Sequence, residues 1–186
     1  MNIFVLSTDP VIAATMMCDK HIPKMVVESA QMLSTVHRMA DGIMELQSSK
    51  TGKRMIKQFV LPDYRENILY KSVHAHHPCT VWTAASNFNY AWHWKHFQAL
   101  CHEYTYRYNK VHMTETKLLA HLRIPPDNIP AGPLTDFALA MKQYPECIVD
   151  SDAVQSYRNY YNAAKTGFAK WNKGRSAPDW WKGSPA

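Results

Sequence analysis

The stretch from residue 19 to residue 40 constrains the fold most. In CDKHIPKMVVESAQMLSTVHRMA the apolar residues Met25, Val26, Val27, Ala30, Met32, Leu33 and Val36 recur at helical spacing. A polar stripe of His21, Lys24, Glu28, Gln31, Thr35 and Arg38 advances beside them in steps of three or four residues. Side chains so spaced leave a helix from one face. The pattern predicts a long helix with Pro23 in its first turn, where a missing N–H does little harm, and Gly42 as its stop. A helix that only covers a core has no need of a stripe holding both His and Glu. That stripe either faces solvent or lines a cleft.

The rest of the chain also reads as helical. Asp9-Pro10 is a helix start, with Asp as the cap and Pro at the first helical position, and residues 11–17 form a brief apolar helix. Residues 3–6 are apolar but too few to declare a strand. Residues 47–57 are polar and basic and predict an exposed loop, and residues 61–70 read as irregular. A long helical stretch is expected over 80–108 after His77-Pro78, with a break near Ser86-Asn87. A short helix follows over 114–122. Four prolines and a glycine within 124–133 dictate a loop. Asp150-Ser151-Asp152 caps a last helix expected to reach about residue 171. The expected fold class is all-α, a compact single-domain helical bundle over 1–186 with a long loop-rich connection and residues 171–186 as a tail packed on the domain.

Composition excludes several classes. With 186 residues, 46% hydrophobic and 19% charged, the chain is neither disordered nor in need of disulfide or metal staples. It holds no run of about 18 apolar residues, so no membrane partner is expected. MNIFVLSTDP lacks the basic leader and cleavage site of a secretory signal. Cys18, Cys79, Cys101 and Cys147 lie far apart without zinc-type spacing and read as reduced thiols of a cytoplasmic protein. No Gly-rich phosphate loop appears, and the chain calls for no cofactor. Nothing in the sequence sets the oligomeric state.

The formal charge of +6 is concentrated toward the end of the chain. From residue 151 on, six bases (Arg158, Lys165, Lys170, Lys173, Arg175 and Lys182) face two acids, Asp152 and Asp179. Tyr157, Tyr160, Tyr161, Phe168, Trp171, Trp180 and Trp181 are interleaved with them. Cations beside flat rings suit a phosphate backbone and stacked bases, although the same pattern describes an amphipathic helix with core aromatics. Tyr104, Tyr106, Arg107, Tyr108 and Lys110 form a second basic aromatic group. Lys24, Arg107, Lys110, Arg158, Lys165, Arg175 and Lys182 are the candidate phosphate contacts, and Trp180 and Trp181 the candidate stacking rings. His74, His76 and His77, close to Cys79, are weak metal candidates, since no partner with ligand spacing follows them. His93, His96, His102 and Glu103 read as ordinary helix positions, and Cys101 as a buried thiol.

Asp19-x-His21 followed by Glu28 resembles the first long helix of the phage pyrimidine-dimer DNA glycosylase family of the endonuclease V type. HHPCTVWTAASNFNYAWHWKHFQALCHEY and APDWWKG are similar to that family's central helix and its tail, and the pieces cover about two thirds of the chain. The N-terminal segment also looks like that of a set of phage proteins, which implies a phage origin and the host cytoplasm. The resemblance implies a helical domain in which an N-terminal α-amine attacks the sugar C1′ and a helix glutamate stabilises the charge that develops. Glu28 then takes the carboxylate role and His21 the adjacent polar role, with Met1 and Asn2 beside the reacting sugar and DNA or a nucleotide as the partner. Asn2 stands where the family has Thr, and it is too large for ready removal of the initiator residue, so either the amine belongs to Met1, one position displaced, or the amine mechanism is absent and Glu28 acts with an activated water. The family's arginines near the amine and the glutamate have no counterpart here, Lys24 being the nearest base. The chemistry is physically consistent: cleavage of an N-glycosidic bond builds positive charge at C1′, which a carboxylate stabilises. An unperturbed α-amine, with a pKa of about 7.7–8.0, is partly neutral at pH 7 and can act as a nucleophile. Two alternatives stay open: a non-catalytic phage nucleic-acid or nucleotide binder, and a transferase or hydrolase that modifies nucleotides.

Overall fold

The computed structural model describes residues 1–49 and 51–183. Helix α1 (Pro10–Thr15) begins where Asp9 accepts hydrogen bonds from the Val11 and Ile12 N–H groups, with Pro10 leading the first turn. Helix α2 (His21–Asp41) is the central element and ends at Gly42. A Cβ on Gly42 would sit 2.4 Å from the Arg38 carbonyl oxygen, so the residue is a matter of space. Past Gly42 the chain departs from the all-α expectation. Strands β1 (Ile43–Ser48) and β2 (Met55–Val60) pair antiparallel, Ile43 opposite Val60 and Ser48 opposite Met55. Residues 47–57, expected to be a loop, thus supply most of a hairpin. Its residues are exposed on both faces, so the two-residue hydrophobic alternation that announces a half-buried strand is missing.

A single turn, α3 (Arg65–Ile68), precedes α4 (Pro78–Ala84) and the long α5 (Asn87–Tyr108). The expected break falls at Ser86, which is fully extended. Its hydroxyl accepts from the Asn89 N–H and donates to the Pro133 carbonyl. Short α6 (Met113–Leu118) is capped by His112. The proline-rich connection then runs over α2 and α5, pinned where Asp41 accepts from the Asp127 and Asn128 N–H groups and Asn87 accepts from the Gly132 N–H. After a 3-10 turn (Pro145–Cys147), α7 (Ala153–Ala164) starts with Asp152 accepting from the Gln155 N–H. This helix stops before the expected residue 171.

α2 packs on α4, α5 and α6, and α1 packs on α5. The apolar residues of α2 meet Phe97, Leu100 and Cys101 from α5, Tyr157 and Tyr161 from α7, and Ile3 to Leu6 in one cluster. Residues 3–6 are not a strand; they thread through the core as irregular chain, with Phe4 at φ 53°. Trp171, Trp180 and Trp181 pack against the cluster, so the described part of the tail lies on the domain; residues 184–186 fall outside the described residues. No helix among the described residues is long and apolar enough to cross a membrane.

Candidate active site at the chain start

The polar stripe of α2 is not a solvated face. The rest of the chain covers most of it, Lys24 excepted. At its C-terminal end Arg38 is fully buried. Its guanidinium donates to the carbonyls of Phe59, Glu66, Leu69 and Tyr70 and to the Glu66 carboxylate 2.5 Å away. Thr35 binds the backbone of Val73. Toward the N-terminal end the first residues of the chain lie over Glu28.

That is where the geometry concentrates. The α-amine of Met1 is 3.8 Å from Glu28 Oε2, and the Asn2 N–H donates to the same oxygen at 3.1 Å. Lys24, one turn earlier on α2, holds the other carboxylate oxygen at 3.5 Å. The Glu28 side chain keeps only 14% of its exposure and that of Met1 5%, whereas Lys24 keeps 65%. The carboxylate is therefore shielded, with one cation at the solvent edge, while the exposure that Met1 keeps lies on its main chain. Asn2 fixes the turn of the chain: its Oδ1 accepts from the Ile3 and Phe4 N–H groups, and its Nδ2 donates to the Ala140 carbonyl. This side-chain bonding stabilises the left-handed Phe4 that follows.

His77 closes the arrangement. Its Nδ1 accepts from the Cys79 N–H as the cap of α4, and the Met1 backbone lies beside the ring. Burial lowers its pKa, as do the Met1 amine and His74, against the opposing pull of Glu28. It is a neutral ring at pH 7. Cys79 beneath it is buried, and that burial pushes its thiol up to about 11, so it is no nucleophile at neutral pH.

His21, expected to partner Glu28, is a core residue. Its Nδ1 is 2.5 Å from the Tyr161 hydroxyl and its ring stacks on Phe4 at 4.7 Å. Burial, then the charges of Lys165, Lys24 and Lys20, lower its pKa to about 3. The stripe position is correct, but Phe4 and α7 close over it.

The expected phosphate contacts divide. Arg107 is fully buried and donates to Glu103 at 2.9 Å, Asp19 at 3.0 Å and the carbonyls of Met17 and Thr15; it is a structural cation and cannot reach a phosphate. Arg175 binds Glu103 and lies over the Tyr106 ring. Lys165 lies over the Tyr160 and Phe4 rings. Arg158 donates to the Leu6 carbonyl and faces the Trp180 ring, while Trp181 packs on Trp171 and Tyr161. Arg158, Arg175 and Trp180 nonetheless line one cavity of about 460 Å³ together. Lys110 and Lys182 are exposed. His74 and His76 line another cavity, described below, and among the described residues no three His, Cys, Asp or Glu side chains are placed to hold a metal ion.

Sequence reasoning placed His77 among weak metal candidates and missed its contact with Met1. The His-Pro pair signalled only the helix cap; the meeting with Met1, 76 residues earlier, is set by tertiary packing. No family model, curated protein or solved structure matches the chain.

Proposed function

We propose that the chain acts on DNA or a nucleotide at the N-glycosidic bond, with the Met1 α-amine as nucleophile and Glu28 as its carboxylate. One observation carries this reading: the amine and the α2 glutamate, 27 positions apart, stand 3.8 Å from each other, with the glutamate side chain 14% exposed. Asp41, the other acid of α2, is held by Arg65 instead, so of the two only Glu28 meets the chain terminus.

In this reading the Met1 ammonium gives its proton to water, and Glu28 stays ionised. The freed lone pair forms a bond to C1′, the bond from C1′ to the base breaks, and its electron pair leaves with the base, which takes up a proton. Ring opening then gives an imine between Met1 and the sugar. The carboxylate stabilises positive charge as it grows at C1′, an effect strengthened by partial exclusion of water. His77 and Asn2 are positioning residues that hold the Met1 backbone.

A second reading, nucleotide or nucleic-acid binding without chemistry, is favoured by the cavity at Arg158, Arg175 and Trp180, since Glu28 is not among its lining residues. Release of free base from damaged duplexes and from nucleosides separates the two. Catalysis predicts release that Glu28→Gln lowers by roughly 10²-fold or more. Release unchanged in that variant removes Glu28 from its role, and binding with no release supports the second reading.

A further inference from the structure

Beyond the contact of β2 with α2, most of the β1–β2 hairpin is exposed. Each strand has six residues, so the ribbon extends about 20 Å. Ile43, Met44, Leu46 and Met55 are 66, 55, 64 and 57% exposed. A hairpin serving only as a connection would not display four large apolar side chains. Between Gln47 and Lys57 the sequence holds Lys50, Lys53, Arg54 and Lys57 and no acid. Lys50 lies outside the described residues; Lys53, Arg54 and Lys57 are exposed.

The arm is firmly rooted. Arg38 donates to the Phe59 carbonyl, the Leu61 N–H donates to Glu66, and Ser72 hydrogen-bonds Gln58. The register puts Met44, Leu46, Ser48, Met55, Lys57 and Phe59 on one face. At its base that face, through Met44, Lys57 and Phe59, encloses a cavity of about 460 Å³ with residues 72–76, including His74 and His76. The next residue in that segment is His77, whose ring lies beside the Met1 backbone. The open face of the arm and the Met1–Glu28 site thus lie at two ends of one short segment.

We propose that this hairpin is a nucleic-acid-binding arm that lays its basic turn against the phosphates of a duplex and leads the strand across residues 72–77 toward Met1. The partner class rests on the reading of the function given above; the arm as its binding element is a separate claim. Charge selects a polyanion. The distribution of apolar residues selects a duplex over a membrane: a hairpin that enters lipid carries its apolar residues at the tip, whereas here the described tip residues are Ser49, Thr51, Gly52, Lys53 and Arg54 and the apolar residues lie along the shaft. Two-stranded ribbons fit a major groove, and apolar side chains behind basic ones pack on sugars and base steps. Pairing of two such arms from separate copies would bring like-charged turns together.

The test uses the whole chain and a fluorescent 20-base-pair DNA duplex, with affinity read by anisotropy at several salt concentrations. Substituting Lys53→Gln, Arg54→Gln and Lys57→Gln together should weaken binding at least about tenfold near 100 mM salt and reduce the salt slope by about 2–3. Because these positions are exposed, the melting temperature should hold, which shows that the fold is intact. Unchanged affinity and slope in the triple variant overturn the proposal, as does preferential binding of the arm to phosphatidylserine vesicles. No base release by the unsubstituted chain, with intact arm-dependent binding, defeats only the catalytic reading, and base release with arm-independent binding defeats only this one.

Discussion

Acidification from pH 7 to pH 4.5 should unfold this protein through its buried histidines. His21, His37, His93 and His96 are 4, 2, 0 and 0% exposed. Burial comes first among the causes that lower each of them: His21 and His96 to about 3, His37 to about 4, and His93 well below its ordinary value. Neighbouring cations add to this at His21 (Lys165, Lys24 and Lys20) and at His37 (Arg65, opposed by Asp41 and Asp63). In the unfolded chain each ring takes a proton near pH 6.5, so below that pH the unfolded state binds protons that the folded state refuses. Stability is therefore lost as pH falls. One such ring removes about 1.4 kcal/mol by pH 5.5 and about 2.7 kcal/mol by pH 4.5, and four remove roughly 6 and 11 kcal/mol. A domain commonly has only about 5–15 kcal/mol in total. Urea unfolding followed by tryptophan fluorescence should show stability falling by roughly 5 kcal/mol per pH unit near pH 5. His96 has both ring nitrogens without a partner and stacks on Trp92, so His96→Phe should flatten that slope by about a quarter. Stability that is level from pH 7 to pH 5, with imidazole resonances titrating near 6.5, would refute the reasoning.

Other substitutions probe other parts of the fold. Arg107→Met leaves Glu103 and Asp19 without their buried cation and should cost about 3–5 kcal/mol in urea unfolding, an effect too large for a surface phosphate contact. Gly42→Ala forces a methyl group against the Arg38 and Val60 carbonyls and should cost about 1–3 kcal/mol, read as a lower melting temperature. His77→Ala removes the cap of α4 and the ring beside Met1. It should cost about 1 kcal/mol and make the amine more reactive toward an acylating reagent, measured by peptide mass mapping.

What the sequence made legible was local. Asp9-Pro10, Gly42, Ser86 and Asp152 carry their signals within a few residues, and α2 and the break between α4 and α5 follow from them. The hairpin escaped because exposure on both faces erases its period. The last helix was drawn too long because Tyr160, Tyr161, Phe168 and Trp171 extend an apolar pattern that the chain uses for tail packing instead. Within the candidate site, Glu28 and its stripe were visible but their surroundings were not. Covering the stripe required Met1, Asn2 and Phe4 from one side and residues 69–77 from the other, contacts with no signature in spacing. Arg107 misled for the same reason: a basic residue among tyrosines reads as surface until Asp19, 88 positions away, is found beside it.

Reduction with borohydride in the presence of DNA carrying an abasic site tests the central claim most directly, with the product digested and sequenced by mass spectrometry. The account predicts one covalent adduct, located on the nitrogen of Met1 and strongly diminished in Glu28→Gln. A chain that stays unmodified while its Met1 carries a free amine, or an adduct located on a lysine, would contradict it.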